Sequence, residues 1–68
     1  MTRYYVNDNA QRNGDHEVHA LGCKWLPKKE NREYLGDFNS CFLAVGEARK
    51  KYNQVNGCYH CSNECHTG

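Results

Sequence analysis

Cys58-Tyr59-His60-Cys61, preceded by Asn56-Gly57 and followed by Ser62-Asn63-Glu64-Cys65-His66-Thr67-Gly68, closes a chain of 68 residues, and its partner elsewhere in the chain decides how so short a sequence folds. A C-x-x-C turn points two thiolates into one cavity and grips a tetrahedral ion from one side. It is half a site. The second half is His19-Ala20-Leu21-Gly22-Cys23, an imidazole and a thiol four positions apart that leave a strand end through a glycine turn. His19, Cys23, Cys58 and Cys61 together form a one-histidine, three-cysteine donor set suited to structural zinc. The long span between Cys23 and Cys58 has room for one strand and one helix, so the metal ties an N-terminal hairpin to the C-terminal knuckle. Cys65 or His66 can stand in for His19 or Cys23, and His60 lies close enough in sequence to be recruited. Reduced thiols without metal, and a disulfide or redox-active pair, are the competing readings.

Composition says why such a staple is needed. Of the 38% hydrophobic residues, five are cysteine and five tyrosine, and isoleucine is absent. A domain of this size buries only about 60% of its unfolded surface and usually requires a disulfide, a metal or a partner. A structural zinc supplies roughly 10–16 kcal/mol of apparent binding free energy that the unfolded chain cannot use. Five cysteines are an odd number, which leaves one unpaired in an all-disulfide scheme. No apolar run approaches the roughly 20 residues of a membrane span, and Met1-Thr2-Arg3-Tyr4-Tyr5 opens no signal-peptide hydrophobic stretch. The expectation is one domain over residues 1–68, cytoplasmic, with no membrane contact.

Working outward from the ligands, Tyr4-Tyr5-Val6 and the alternating Glu17-Val18-His19-Ala20 predict two strands of a hairpin. The long loop between them contains the turn signal Asn13-Gly14. Glu33 to Phe38 predicts a third strand, after a connection that begins at Pro27. Asn39 or Ser40 as N-cap, with Cys41, Ala44, Val45, Ala48 and Tyr52 on one stripe, predicts an amphipathic helix over about residues 40–52. Asn53 to Gly57 reads as the end of that helix, and residues 62–68 as a loose tail. The fold class is therefore α+β: a small antiparallel sheet, hairpin plus third strand, packed on one helix with a C-terminal C-x-x-C knuckle. Cys41, on the apolar stripe, reads as a small buried hydrophobe. Trp25 and Leu26 read as cover for the core beside Cys23, the tyrosines as residues of the core edge, and His16 as a surface group near the hairpin loop.

The order His19-x3-Cys23, Pro27, Glu30-Asn31-Arg32, an aromatic strand, a helix with alanines and Cys58-x2-Cys61 resembles, over about residues 19–61, the metal-binding domain of Ada-type DNA alkylation-repair proteins. In that family two cysteine pairs hold zinc, and the first cysteine accepts a methyl group from a DNA phosphotriester. His19 stands at the acceptor position, and an imidazole ligates zinc without being the thiolate nucleophile. The resemblance thus implies the metal site without the repair chemistry. The whole chain also resembles short bacterial proteins of unknown function.

Nine Lys and Arg balance eight Asp and Glu, for a net charge of +1, so no strong global field steers the chain to nucleic acid. No nucleophile, base and orienter set and no Gly-rich phosphate loop is present, which predicts a non-enzyme. The leading expectation is a small zinc module with an exposed face for a protein partner. The alternatives are a thiol redox protein using Cys58 and Cys61, and a nucleic-acid binder using Lys24, Lys28, Lys29, Arg32 and Arg49-Lys50-Lys51 with Trp25 or a tyrosine stacking on bases.

Overall fold

In the computed structural model, which describes residues 1–67, the chain forms strand β1 (Thr2–Asn7), β2 (His16–Ala20), β3 (Arg32–Phe38), helix α1 (Cys41–Ala48) and strand β4 (Val55–Gly57). Single 3-10 turns lie at Lys29–Asn31 and Asn63–Cys65. The four strands make one mixed sheet in the order β3-β1-β2-β4. β1 and β2 are the expected hairpin, antiparallel with Tyr4 opposite Ala20, Tyr5 opposite His19 and Val6 opposite Val18. β3 adds antiparallel to the outer side of β1, with the register slipping between Tyr4 and Tyr5. This is the α+β class read from the sequence, enlarged by one strand.

The extra strand is the main departure. Val55–Gly57 pairs parallel to β2, setting His16 against Val55, Glu17 against Asn56 and Val18 against Gly57. A parallel neighbour cannot be reached by a tight turn and needs a crossover. α1 provides it, carrying the chain from the β3 edge of the sheet to the β4 edge. α1 itself is shorter than expected: regular helix ends at Ala48, and the last turn tightens through bonds such as Lys51 N–H to the Ala48 carbonyl at 2.9 Å. Ser40 occupies the N-cap position, but its hydroxyl caps nothing.

Period-two alternation puts Tyr4, Val6 and Val18 on the face of the sheet toward α1, where they join Leu35, Cys41, Ala44, Val45 and Ala48 in the core. The opposite face carries Tyr5, Glu17 and His19. At the far end of α1, the Tyr52 ring stacks on His16 at 3.7 Å and 12°, and its hydroxyl donates to Asp8 at 3.0 Å. His16 in turn bonds the Asn7 carbonyl through Nδ1 at 3.0 Å. His16 is therefore a clasp between hairpin and helix, in addition to lying near the loop.

Cys41 is buried on the apolar stripe as expected, but it is not a free thiol: it is bonded to Cys65, leaving Cys23, Cys58 and Cys61 unpaired. The odd count of five is thus one disulfide plus three thiols. Residues 62–67 are correspondingly not loose. Besides the disulfide, the Asn56 side chain donates to the Thr67 carbonyl at 2.8 Å and accepts from the Thr67 N–H at 2.9 Å, and His66 Nδ1 meets the Gly57 carbonyl at 2.9 Å. Gly68, the last residue of the expected tail, lies outside the described residues. A disulfide spanning a sequence separation of 24 removes loop-closure entropy worth about 3 kcal/mol from the unfolded chain. The double variant Cys41→Ala/Cys65→Ala should lose stability of that order in urea unfolding, and the intact wild-type mass should rise by two hydrogens on reduction.

Candidate metal centre

His19 is the fixed corner of the site. The strand pattern places it on the face away from α1, yet it is only 2% exposed because the knuckle folds over it. The chain must then turn back at once to bring Cys23 beside it. Gly22 makes the corner with φ at +91°, a conformation side chains resist, and the Cys23 N–H closes the turn on the Ala20 carbonyl at 3.1 Å. The expected glycine turn is present.

The other two thiols arrive on β4. Because β4 is parallel to β2 and in register with it, the Cys58 N–H continues the ladder onto the Val18 carbonyl at 2.9 Å, one residue from His19. The knuckle then tightens through the Ser62 N–H to the Cys58 carbonyl at 2.9 Å, and the Ala20 N–H donates to Cys61 Sγ at 3.4 Å. A backbone N–H aimed at sulfur favours the thiolate over the thiol.

The result is a group of four side chains, His19, Cys23, Cys58 and Cys61, whose donor atoms all lie within 4.8 Å of one another and which can hold a metal ion. His19 Nδ1 is 3.8 Å from Cys23 Sγ and 3.9 Å from Cys61 Sγ, and Cys23 Sγ is 3.9 Å from Cys58 Sγ. A tetrahedron built on metal–sulfur bonds of 2.3 Å has edges of about 3.8 Å. The donors therefore already stand close to the separations a tetrahedral ion requires, and the chemistry of the set fits such an ion. Cys65 and His66, the alternative ligands, are taken by the disulfide and by the Gly57 carbonyl.

Electrostatics agree with ligation. Burial pushes His19 down from 6.5 to about 4, so its imidazole is neutral near pH 7 and Nδ1 can offer a lone pair. The other ring nitrogen, Nε2, faces Glu17 Oε1 at 3.6 Å. Because the ring is neutral, this is an N–H directed at a carboxylate and not an ion pair, and it selects the tautomer that leaves Nδ1 free. Glu17 is itself raised above its usual value by burial. Without metal, burial and then hydrogen bonding from Cys23 push Cys61 up to about 12.

Around this centre stands an aromatic group that does not cover the core. Trp25, expected as core cover, is 55% exposed and stacks on His60 at 5.3 Å and 28°. Tyr59 is 60% exposed and meets His60 edge-on at 5.3 Å and His66 at 5.4 Å. His60 is thus held by two rings outside the ligand cluster. Glu17 is the neighbour of His19 that ligand spacing alone does not reveal; the only sequence signal for it is the strand alternation that puts residues 17 and 19 on one face.

No family model, curated protein or solved structure matches the chain, so its chemistry rests on its own geometry.

Gly57 has no room for a side chain. A Cβ there would stand 2.7 Å from Cys65 Cβ and 2.7 Å from the Ser62 carbonyl oxygen, both fixed by the tail lock, whereas a Cβ at Gly46 on α1 meets nothing within 4 Å. Gly57→Ala should therefore cost about 1–3 kcal/mol and weaken metal retention against a competing chelator. Gly46→Ala should instead gain about 0.5–1 kcal/mol with metal retention unchanged. Urea unfolding with parallel chelator competition measures both.

Proposed function

We infer that this chain is a small, non-enzymatic zinc module in which His19, Cys23, Cys58 and Cys61 hold one structural Zn²⁺, and that it serves as an interaction or accessory protein. The observation that carries this reading is the convergence of one imidazole nitrogen and three sulfurs at separations near those of a tetrahedral ion. Four protein donors complete the coordination of a structural zinc and leave no position for a substrate or a reactive water. The Ada-type resemblance supports the same donor positions, and an imidazole at the acceptor position speaks against methyl transfer.

Thiol redox chemistry is less well supported. An attacking cysteine needs a lowered pKa and access to solvent, whereas Cys61 is driven upward and Cys58 is 2% exposed. Nucleic-acid binding loses part of its charge: Lys50 pairs with Glu47, Lys51 pairs with Glu33, and Arg32 lies over the Tyr5 ring at 4.6 Å while donating to the Pro27 carbonyl at 3.2 Å. No helix among the described residues is long and apolar enough to cross a membrane. A cytoplasmic location suits metal-bound thiolates, whereas the Cys41–Cys65 bond suits an oxidising compartment.

Protein purified without chelator should carry one equivalent of zinc, and cobalt substituted for it should give the intense visible bands of a tetrahedral thiolate site. Cys58→Ala should abolish retention, while Cys41→Ala/Cys65→Ala should keep it. Less than a tenth of an equivalent of zinc, together with a folded NMR spectrum that chelator does not change, would overturn the reading.

A further inference from the structure

A concavity of about 420 Å³ opens beside the metal centre, within the size range of small-ligand sites. Trp25, Tyr59 and His60 line it together with Glu17, Gln11 and His19. Its aromatic part is presented outward: Trp25 and Tyr59 both remain more than half exposed, yet each is oriented against His60 and neither collapses into the core.

Glu17 is the only Asp, Glu, Lys or Arg among the lining residues. Its carboxylate is largely withdrawn from water, with a side-chain exposure of 14%, and it has no Lys or Arg partner among the described residues. Its neighbours are His19 Nε2 at 3.6 Å, the Gln11 side chain, and the His60 and His66 rings. A divalent ion held by three thiolates adds a further net negative charge next to the cavity, but the sign of the cavity rests on Glu17 with or without metal. A half-buried carboxylate with no Lys or Arg beside it favours a cationic ligand over a phosphate or a carboxylate.

Ring faces carry negative quadrupolar charge, so exposed indole and phenol surfaces beside a carboxylate attract a cation. Among organic cations, methylated ammonium groups fit best. They spread charge over a wide apolar surface, shed water easily onto aromatic faces and still satisfy Glu17 at longer range. Bare ammonium is held more strongly by water and gives that water up less readily to an aromatic face.

We propose that the cavity formed by Trp25, Tyr59, His60 and Glu17 beside the metal centre is a binding site for a methylated ammonium cation, as carried by a free quaternary amine or by a methylated lysine side chain. The cation seats against the aromatic faces, with Glu17 as the counter-charge and Gln11 at the polar margin.

The test is an NMR titration of the full chain at constant ionic strength with choline, with its neutral isostere 3,3-dimethylbutan-1-ol, and with the amide of N-acetyl-trimethyllysine. Choline should give saturable shifts of the Trp25 indole N–H and of the Tyr59 and His60 amides, and should bind about tenfold more tightly than the alcohol. Glu17→Gln should weaken choline binding about tenfold, and Trp25→Leu about fivefold or more. Trp25 is not a metal ligand, so its variant decides the matter even where Glu17→Gln disturbs the centre. Tighter binding of choline than of the lysine derivative assigns the site to a free amine, and the reverse order assigns it to a modified side chain. Equal midpoints for choline and the alcohol, or no saturable shift through the millimolar range, overturns the proposal. Because zinc content is measured separately on the same sample, failure of the cation site is distinguishable from failure of the metal reading.

Discussion

The parallel pairing of β4 with β2 is the constraint on which the rest of the structure depends. Three residues of ladder place Gly57 opposite Val18 and lead the Cys58 N–H onto the Val18 carbonyl. That register puts the knuckle over His19 instead of beside some other residue of the sheet. A slip of one position would turn the face of β4 and carry both thiols of the C-x-x-C away from the imidazole. Three residues of strand are a weak restraint by themselves, so the register has to be enforced from outside the ladder.

Two locks enforce it, and both act on the segment after the knuckle. Asn56 is buried and spends its amide on Asp15 in the hairpin loop and on Thr67 in the tail, so hairpin, β4 and tail meet in one polar joint. The Cys41–Cys65 disulfide fastens the same segment to the first turn of α1. Gly57 lies between the two locks, where only a residue without a side chain lets Cys65 and the Ser62 carbonyl approach the strand. The chain thus places its cysteines at two sites. One pair closes the tail onto the helix side of the sheet, and three thiols gather at the opposite face.

This division accounts for what the sequence discloses. The hairpin, the third strand and the helix each carry a periodic signal of several residues: Val18 and His19 alternate faces, and Cys41, Ala44, Val45 and Ala48 recur at helical spacing. The ligand pairs are legible for a similar reason, since His19-x3-Cys23 and Cys58-x2-Cys61 are local spacings whose geometry a glycine turn and a knuckle supply. β4 has no such signal. Val55-Asn56-Gly57 contains two residues that disfavour strands, and what makes it a strand is the distant set of partners at Asp15, Cys65 and Thr67. The disulfide is hidden in the same way, because a cysteine on a helix stripe looks like any small apolar residue until a second cysteine is brought to it by the tail. Trp25 misleads for the complementary reason: a large apolar ring predicts burial, and only the position of the knuckle shows that His60, and not the core, receives it.

The two faces of the sheet therefore bear different burdens. The α1 face holds the hydrocarbon, and with Tyr4, Val6, Val18, Leu35, Ala44, Val45 and Ala48 it is a thin core made tolerable by the disulfide at its margin. The other face keeps its polar and aromatic groups near the surface and organises them around His19. A metal at that point would do for this face what the disulfide does for the first, joining the β2 corner to the knuckle with bonds that need no apolar area. Stability supplied in this form leaves Trp25 and Tyr59 free of core duty. Trp25 and Tyr59 stay exposed while the Cys41–Cys65 bond fastens the margin of the core, and the surface they present next to Glu17 follows from how the knuckle is held over the sheet.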